Sequence, residues 1–287
     1  MGWFEAALLA TLLYGLMQTF QKLAAAGGLS PLQIVFSAGL TVSLLAGSAM
    51  LASGGPVAWS GATLTYAVLN SVFFTAGSIL LLFALKRASA AVALPVNKLD
   101  AVLVVAIGAL AFDERPTPIQ WVGALLGLAV IAVLTWPRRG AEPSAKSRAD
   151  LAGIGLAAAA AVCFAGSMTV GRIASRSGPV LPFVFATYAC TALLGLGAWR
   201  LADSERRCSR LDACRYGAAI GALNFVGYLL ILRAFAQGPM ALIQPLLASS
   251  MLIAVGLSTW LLREPIAWRH AAAVGLSLAA ALLIRVG

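Results

Sequence analysis

The 287-residue chain is 61% apolar and only 10% charged, against roughly 45–50% and about 25% in soluble domains. That much apolar surface exceeds what a water-soluble core hides, which argues against an ordinary soluble enzyme. The net charge of +10 resides mostly in short polar connections, where it reads as membrane orientation and headgroup contact rather than nucleic-acid binding.

A helix needs about 20 apolar residues to cross a hydrocarbon core of roughly 30 Å. Ten such spans are predicted, at residues 3–21, 31–51, 61–85, 90–112, 118–136, 151–173, 180–199, 216–235, 240–262 and 267–284. The residues before and at the start of the first, Met1-Gly2-Trp3-Phe4-Glu5, lack the positive stretch of a secretory signal, so that segment is expected to be a permanent helix. Pro95 and Pro245 lie inside the fourth and ninth spans, where the missing N–H should kink or open the helix and free carbonyls for a ligand or for packing. Gly123 with Gly127, and Gly217 with Gly221, are expected to let helices approach closely. Cys163 and Cys190 read as packing residues, and Cys208 and Cys214 as free thiols in a basic loop.

A shift of 150 residues lays the second half on the first, pairing Gly77, Ala84, Pro95 and Glu114 with Gly227, Ala234, Pro245 and Glu264, and Thr19 and Lys22 with Thr169 and Arg172. The polar run 137–150 falls between spans five and six. This predicts a first repeat at 1–136, a linker at 137–150 and a second repeat at 151–287. Each half has an odd number of spans, so the halves should enter the bilayer in opposite directions. The expected fold is an all-α membrane protein of ten transmembrane helices built as two inverted five-helix repeats.

Of the 20 Lys and Arg, Lys98 and Arg233 fall inside spans and Arg115, Arg172, Arg176 and Arg285 lie on one side, which leaves fourteen on the side of the linker. The positive-inside rule then places the linker in the cytoplasm and both termini outside. Lys22 and Arg172, near the ends of equivalent helices, are expected to snorkel to the headgroups.

The sequence contains no nucleotide-binding Gly-x-x-x-x-Gly-Lys-Ser/Thr loop, no Gly-x-Ser-x-Gly elbow and no His-Glu-x-x-His pair. His270 is its single histidine and reads as an interfacial residue. No catalytic set, metal site or cofactor is therefore predicted. What stands out is Pro95-Val96-Asn97-Lys98-Leu99-Asp100, an ammonium and a carboxylate deep in span four. At that depth each charge costs about 2.5–3.5 kcal/mol unless it faces protein or a wet cavity. Residues two apart point about 200° apart on a helix, so Lys98 and Asp100 should look toward different neighbours, with Asn97 on the Asp100 face. Two readings follow: Lys98 as a substrate anchor with Asp100 as a second anchor or proton carrier, or both residues tied into interhelical salt bridges. Under the 150-residue shift Asn97, Lys98 and Asp100 meet Leu247, Ala248 and Ser250, so the charges exist in one copy only, which favours a site. Gln18, Gln21, Asn70, Asn224, Tyr228 and Gln244 are further buried polar candidates, each of which also fits an interhelical hydrogen bond.

These residues carry a family resemblance. The runs Phe83-Ala84-Leu85-Lys86, Leu94-Pro95-Val96-Asn97-Lys98-Leu99 and Phe112-Asp113-Glu114-Arg115-Pro116, followed by Gln120-Trp121-Val122-Gly123, resemble the EamA repeat of the drug/metabolite transporter superfamily. The second copy, Ala234-Phe235-Ala236-Gln237-Gly238-Pro239 through Gln244-Pro245-Leu246 to Leu262-Arg263-Glu264-Pro265, is similar. The resemblance implies helices one, three, four, six, eight and nine around a central cavity that exchanges small metabolites across a bacterial inner membrane. It places Lys98 at a family position, Asp100 where short members carry a small hydroxyl residue, and both termini in the cytoplasm, against the charge count. Glu114 and Glu264 match an acidic residue after the fourth helix of each repeat, expected to cap the start of the next helix.

The leading expectation is a secondary transporter in the bilayer that moves a small polar metabolite, an amino acid or similar, in the export direction. One half would rock against the other, and protons are the candidate coupling ion. The alternative from another class is a membrane scaffold or regulator that keeps the fold without turnover. An intramembrane enzyme is a third, weaker reading.

Overall fold

The structure is a computed structural model that describes residues 1–54, 59–87, 93, 96–135, 147–201, 210–262 and 268–286. The expectations for Pro95, Cys208, Glu264 and most of the linker lie outside these residues, as does the side chain of His270.

Among the described residues the chain forms helices and no strand. They are α1 (Trp3–Ala26), α2 (Pro31–Ala52), α3 (Gly61–Arg87), α4 (Leu99–Ala111), α5 (Pro118–Thr135), α6 (Ser147–Ser177), α7 (Val180–Leu201), α8 (Arg210–Gln237), α9 (Met240–Ala248), α10 (Ser250–Leu262) and α11 (Trp268–Val286). Among the described residues five helices are long and apolar enough to cross a bilayer: α2, α3, α6, α7 and α8. Leucines such as Leu12, Leu44, Leu110 and Leu193 point outward along the bundle, as a lipid-facing surface requires. Helix α6 begins at Ser147, inside the stretch read as linker.

The fourth span of neither half is one continuous helix. In the second half α9 stops at Ala248 and α10 starts at Ser250. Pro245 offers no N–H to the preceding turn, and the Ser249 N–H folds back on the Leu246 carbonyl at 3.1 Å instead of continuing the i→i−4 ladder. In the first half the interruption falls at Lys98, whose carbonyl accepts from the Ala101 N–H at 3.1 Å just before α4. Thr11 of α1 donates its hydroxyl to the Leu246 carbonyl at 3.2 Å, so protein rather than ligand serves that acceptor. The back of Pro245 is filled by Gly127, where an added Cβ would lie 2.9 Å from the proline ring.

Adding 150 to the bounds of α1 through α5 gives α6, α7, α8, α10 and α11 to within a few residues. Packing obeys the same operation. Helix α1 lies on α8 as α6 lies on α3, α2 on α8 as α7 on α3, and α1 on α10 as α6 on α4, while α2–α7 and α5–α11 are self-paired. The rule reaches single side chains. An added Cβ on Gly77 would meet Cys163 and Phe164, and one on Gly227 would meet their counterparts Leu13 and Tyr14. This is a pseudo-twofold relation between the two repeats.

These main interfaces all join opposite repeats. Rocking of one repeat against the other would shear every one of them. The packed groups mix the repeats: α1 lies with α8 and α10, and its symmetry mate α6 with α3 and α4. The expected glycine contacts fall at these seams, with Gly123 against Ala280 and Ile284, and Gly217 and Gly221 against Ser37, Ala38 and Thr41.

Candidate functional site

Three of the sequence candidates meet at the centre of the bundle. Asn70 of α3 donates its amide to the Ser167 carbonyl at 2.9 Å and to the Tyr228 hydroxyl at 3.0 Å, and its Oδ1 accepts from Ser167 Oγ at 3.2 Å. Asn224 of α8 donates to the Tyr188 hydroxyl at 2.7 Å and accepts from the Tyr14 hydroxyl at 3.2 Å. The rings of Tyr188 and Tyr228 join the two parts edge to face, with centroids 5.8 Å apart. Asn70, Ser167, Tyr188, Asn224 and Tyr228 are all 3% exposed or less. Five helices thus converge on a buried polar and aromatic cluster whose amides are satisfied internally.

The cluster is asymmetric under the repeat. Tyr14 and Asn224 correspond to Phe164 and Phe74, which make an edge-to-face ring contact at 6.1 Å in the other half. The same backbone geometry carries a hydrogen bond on one side and a ring contact on the other. Tyr14, Ser167 and Tyr188 were not among the sequence candidates. Comparison of Tyr14 with Phe164, by the criterion applied to Lys98, picks out the first of them.

The second group of candidates lies at the interruption before α4. Lys98 occupies the turn, half-buried, and its side chain makes no hydrogen bond or ion pair among the described residues. Asn97 and Asp100 flank it, each 5% exposed, and the Oδ1 of each has no partner. Lys98 and Asp100 do not pair with each other, in keeping with their spacing. Gln244, 4% exposed beside Pro245, has an unpartnered Oε1 and stands apart from the central cluster. Gln18 donates to Ser250 Oγ at 2.9 Å.

A buried ion pair contradicts two expectations. Arg172 does not snorkel: it is 2% exposed and donates Nη2 to Glu114 Oε1 at 3.0 Å. Glu114 does not cap the next helix, α5. It accepts the Met240 and Ala241 N–H groups at 2.8 Å each, and so caps α9 in the other repeat. Several residues aim it there. Asp113 takes a left-handed φ of 48°, which Asp tolerates better than most residues, and turns the chain back over the end of α4. At Gly108 an added Cβ would lie 2.8 Å from Glu114 Oε2 and 3.1 Å from the Ala241 nitrogen, so the close approach requires glycine. The Phe112 ring lies 6.0 Å from the guanidinium. The 150-residue shift paired Arg172 with Lys22 and Glu114 with Glu264 but gave no sign that Glu114 and Arg172 touch, because a pair 58 residues apart leaves no local pattern.

A solved crystal structure shares this fold across 98% of both chains, with a TM-score of 0.75 at 22% identity. None of the curated proteins compared with the chain matches it. The profile of the EamA-like transporter family matches residues 2–136 and 151–286, one match for each repeat. With two matches that together span nearly all of its length, the chain belongs to the EamA-like transporter family.

Proposed function

We propose that the protein is a secondary transporter that exports a small polar metabolite, of the amino-acid class, across a bacterial inner membrane by alternating access. Its ten spans form two inverted five-helix repeats, residues 1–136 and 151–287, joined by the 137–150 linker. The observation that carries the reading is the set Asn97, Lys98 and Asp100 at the interrupted fourth span. Among the described residues a half-buried ammonium with no ion pair stands between two buried side chains that each leave an acceptor oxygen open. An unpaired charge and open acceptors in a membrane bundle are costly as pure structure, and a polar solute that enters and leaves supplies the missing partners. Lys98 holds the solute's carboxylate, Asn97 and Asp100 its donor groups, and Asp100 is the place for a coupling proton.

The central cluster of Asn70, Tyr228 and Asn224 forms the floor of the pathway, and its rings set the size of the solute. Movement occurs between the mixed groups α1–α8–α10 and α3–α4–α6, whose contacts persist while the seam between them opens. The reading is tested by untargeted comparison of metabolites inside and outside cells with and without the protein, followed by flux of each changed compound in proteoliposomes. A compound carried down its gradient by the wild type and not by Lys98→Ala supports the proposal. Absence of flux for every changed compound sinks it in favour of the scaffold alternative.

A further inference from the structure

The Glu114–Arg172 pair lies where the two mixed helix groups meet, and its chemistry is not that of a static brace. Arg172 belongs to α6, and Glu114 follows α4 in the same group, while the two N–H groups that Glu114 accepts open α9, which packs mainly on α4 and α5 and also on α1. The carboxylate therefore fixes the start of α9, a helix that touches both groups, to the α3–α4–α6 group. It does so at the end of the bundle where Trp3 packs on Gly238 and Arg285 lies over the Phe4 ring.

A permanent buried ion pair is stable when its remaining donors are satisfied. Here Glu114 is well served, but Arg172 Nε and Nη1 are buried and have no partner among the described residues. The closed arrangement thus leaves two charged donors without a protein acceptor among those residues, and water admitted at this end would satisfy them at the moment the Glu114 contacts are lost. The cost of opening is offset by hydration of the same guanidinium.

We propose that Glu114, Arg172 and the first turn of α9 form a latch that closes the pathway at the Trp3 end and opens when that end is wetted. The inference rests on the transporter reading for its purpose, and its test does not require a known substrate. In a background with all four cysteines replaced, Ser167→Cys places a thiol in the central cluster. Its rate of labelling by a membrane-impermeant cationic thiol reagent is measured in vesicles of both orientations. Glu114→Gln with Arg172→Gln removes the latch without stranding a charge, and labelling from the Trp3 end should rise about tenfold or more, the factor that ~1.4 kcal/mol makes in an equilibrium. An unchanged rate in a folded double variant overturns the proposal. If the double variant does not fold, Arg172→Lys, the residue type found at position 22, keeps the charge and should raise labelling severalfold; an unchanged rate there overturns it equally. Crosslinking Glu114→Cys to Ala241→Cys with a short bifunctional reagent, which replaces the tie to the first turn of α9, should suppress labelling from the Trp3 end, and labelling that persists refutes the latch. Latch-dependent labelling in a protein that carries no metabolite would leave this inference standing and remove the transporter reading.

Discussion

Gln18 donates its amide to Ser250 at 2.9 Å, and Ser250 is the residue that the repeat operation superimposes on Asp100. The counterpart of Gln18 is Met168, which carries no donor. One half therefore satisfies this crossing of the first and fourth spans, and the other leaves Asp100 Oδ1 without a partner among the described residues. Met168→Gln should rebuild the missing bond. The expected outcome is a variant as stable as the wild type or more so, by up to ~1 kcal/mol in thermal unfolding in detergent, with loss of substrate flux. Normal flux would show that an open Asp100 is not required.

Lys98→Ala should leave expression and unfolding temperature unchanged, since no ion pair is broken and the second copy already carries Ala248 at this place. Flux in proteoliposomes should fall by at least about tenfold, the loss that removal of one charge-assisted hydrogen bond of 1.5–3 kcal/mol brings. A wild-type rate would rule out the anchor.

Asp100→Asn holds the side chain in the shape of its protonated form. If Asp100 carries the coupling proton, the variant should exchange substrate for substrate while pH-driven accumulation is lost. A residue needed only for binding loses both activities together. Retention of a normal pH dependence would move the proton elsewhere; Glu5, exposed and accepting from the Gly2 N–H, is the next carboxylate to test.

Asn224→Phe copies Phe74 from the other half, and on its own it strands the hydroxyls of Tyr14 and Tyr188 at a cost of about 1–3 kcal/mol each at most. Adding Tyr14→Phe copies the Phe164–Phe74 contact and should recover part of that loss. Strict additivity of the two changes in a double-mutant cycle would show that the pseudo-symmetric contact is not transferable.

Orientation is decided by labelling. The charge bias predicts that a cysteine in the 139–148 linker reacts with an impermeant reagent only from the cytoplasm, and one at Gly2 only from outside. Reversal of both accessibilities would establish the orientation that the family resemblance implies. Arg172 contributes nothing to the bias in either case, because Glu114 neutralises it in the protein interior.

The repeat, the helical class and the interruption near Pro245 were legible because each leaves a local or periodic mark: an apolar run, a constant shift, a missing donor. Asn70, Asn224 and Tyr228 were legible as buried polar groups, and the structure unites them. Their partners Ser167 and Tyr188 were not, since a serine or tyrosine in an apolar span is common and only the crossing of α3 and α6, or of α7 and α8, gives it a task. Arg172 was misread for a related reason. Position near a helix end suggests the interface, but Ser177 still lies five residues beyond it, and the partner that draws the guanidinium inward comes from the other repeat.

A helix behaves as a stiff rod only while its hydrogen-bond ladder runs unbroken. Helices α1, α3, α6 and α8, with 24, 27, 31 and 28 residues, meet that condition, whereas the nine residues of α9 and the thirteen of α10 are separate segments jointed at Ser249. On the transporter reading proposed above, a displacement at the Glu114 end of α9 would be absorbed as bending at Ser249 instead of being pushed along the axis to the far end of α10. Such a joint would let one end of the bundle change shape while the other holds still.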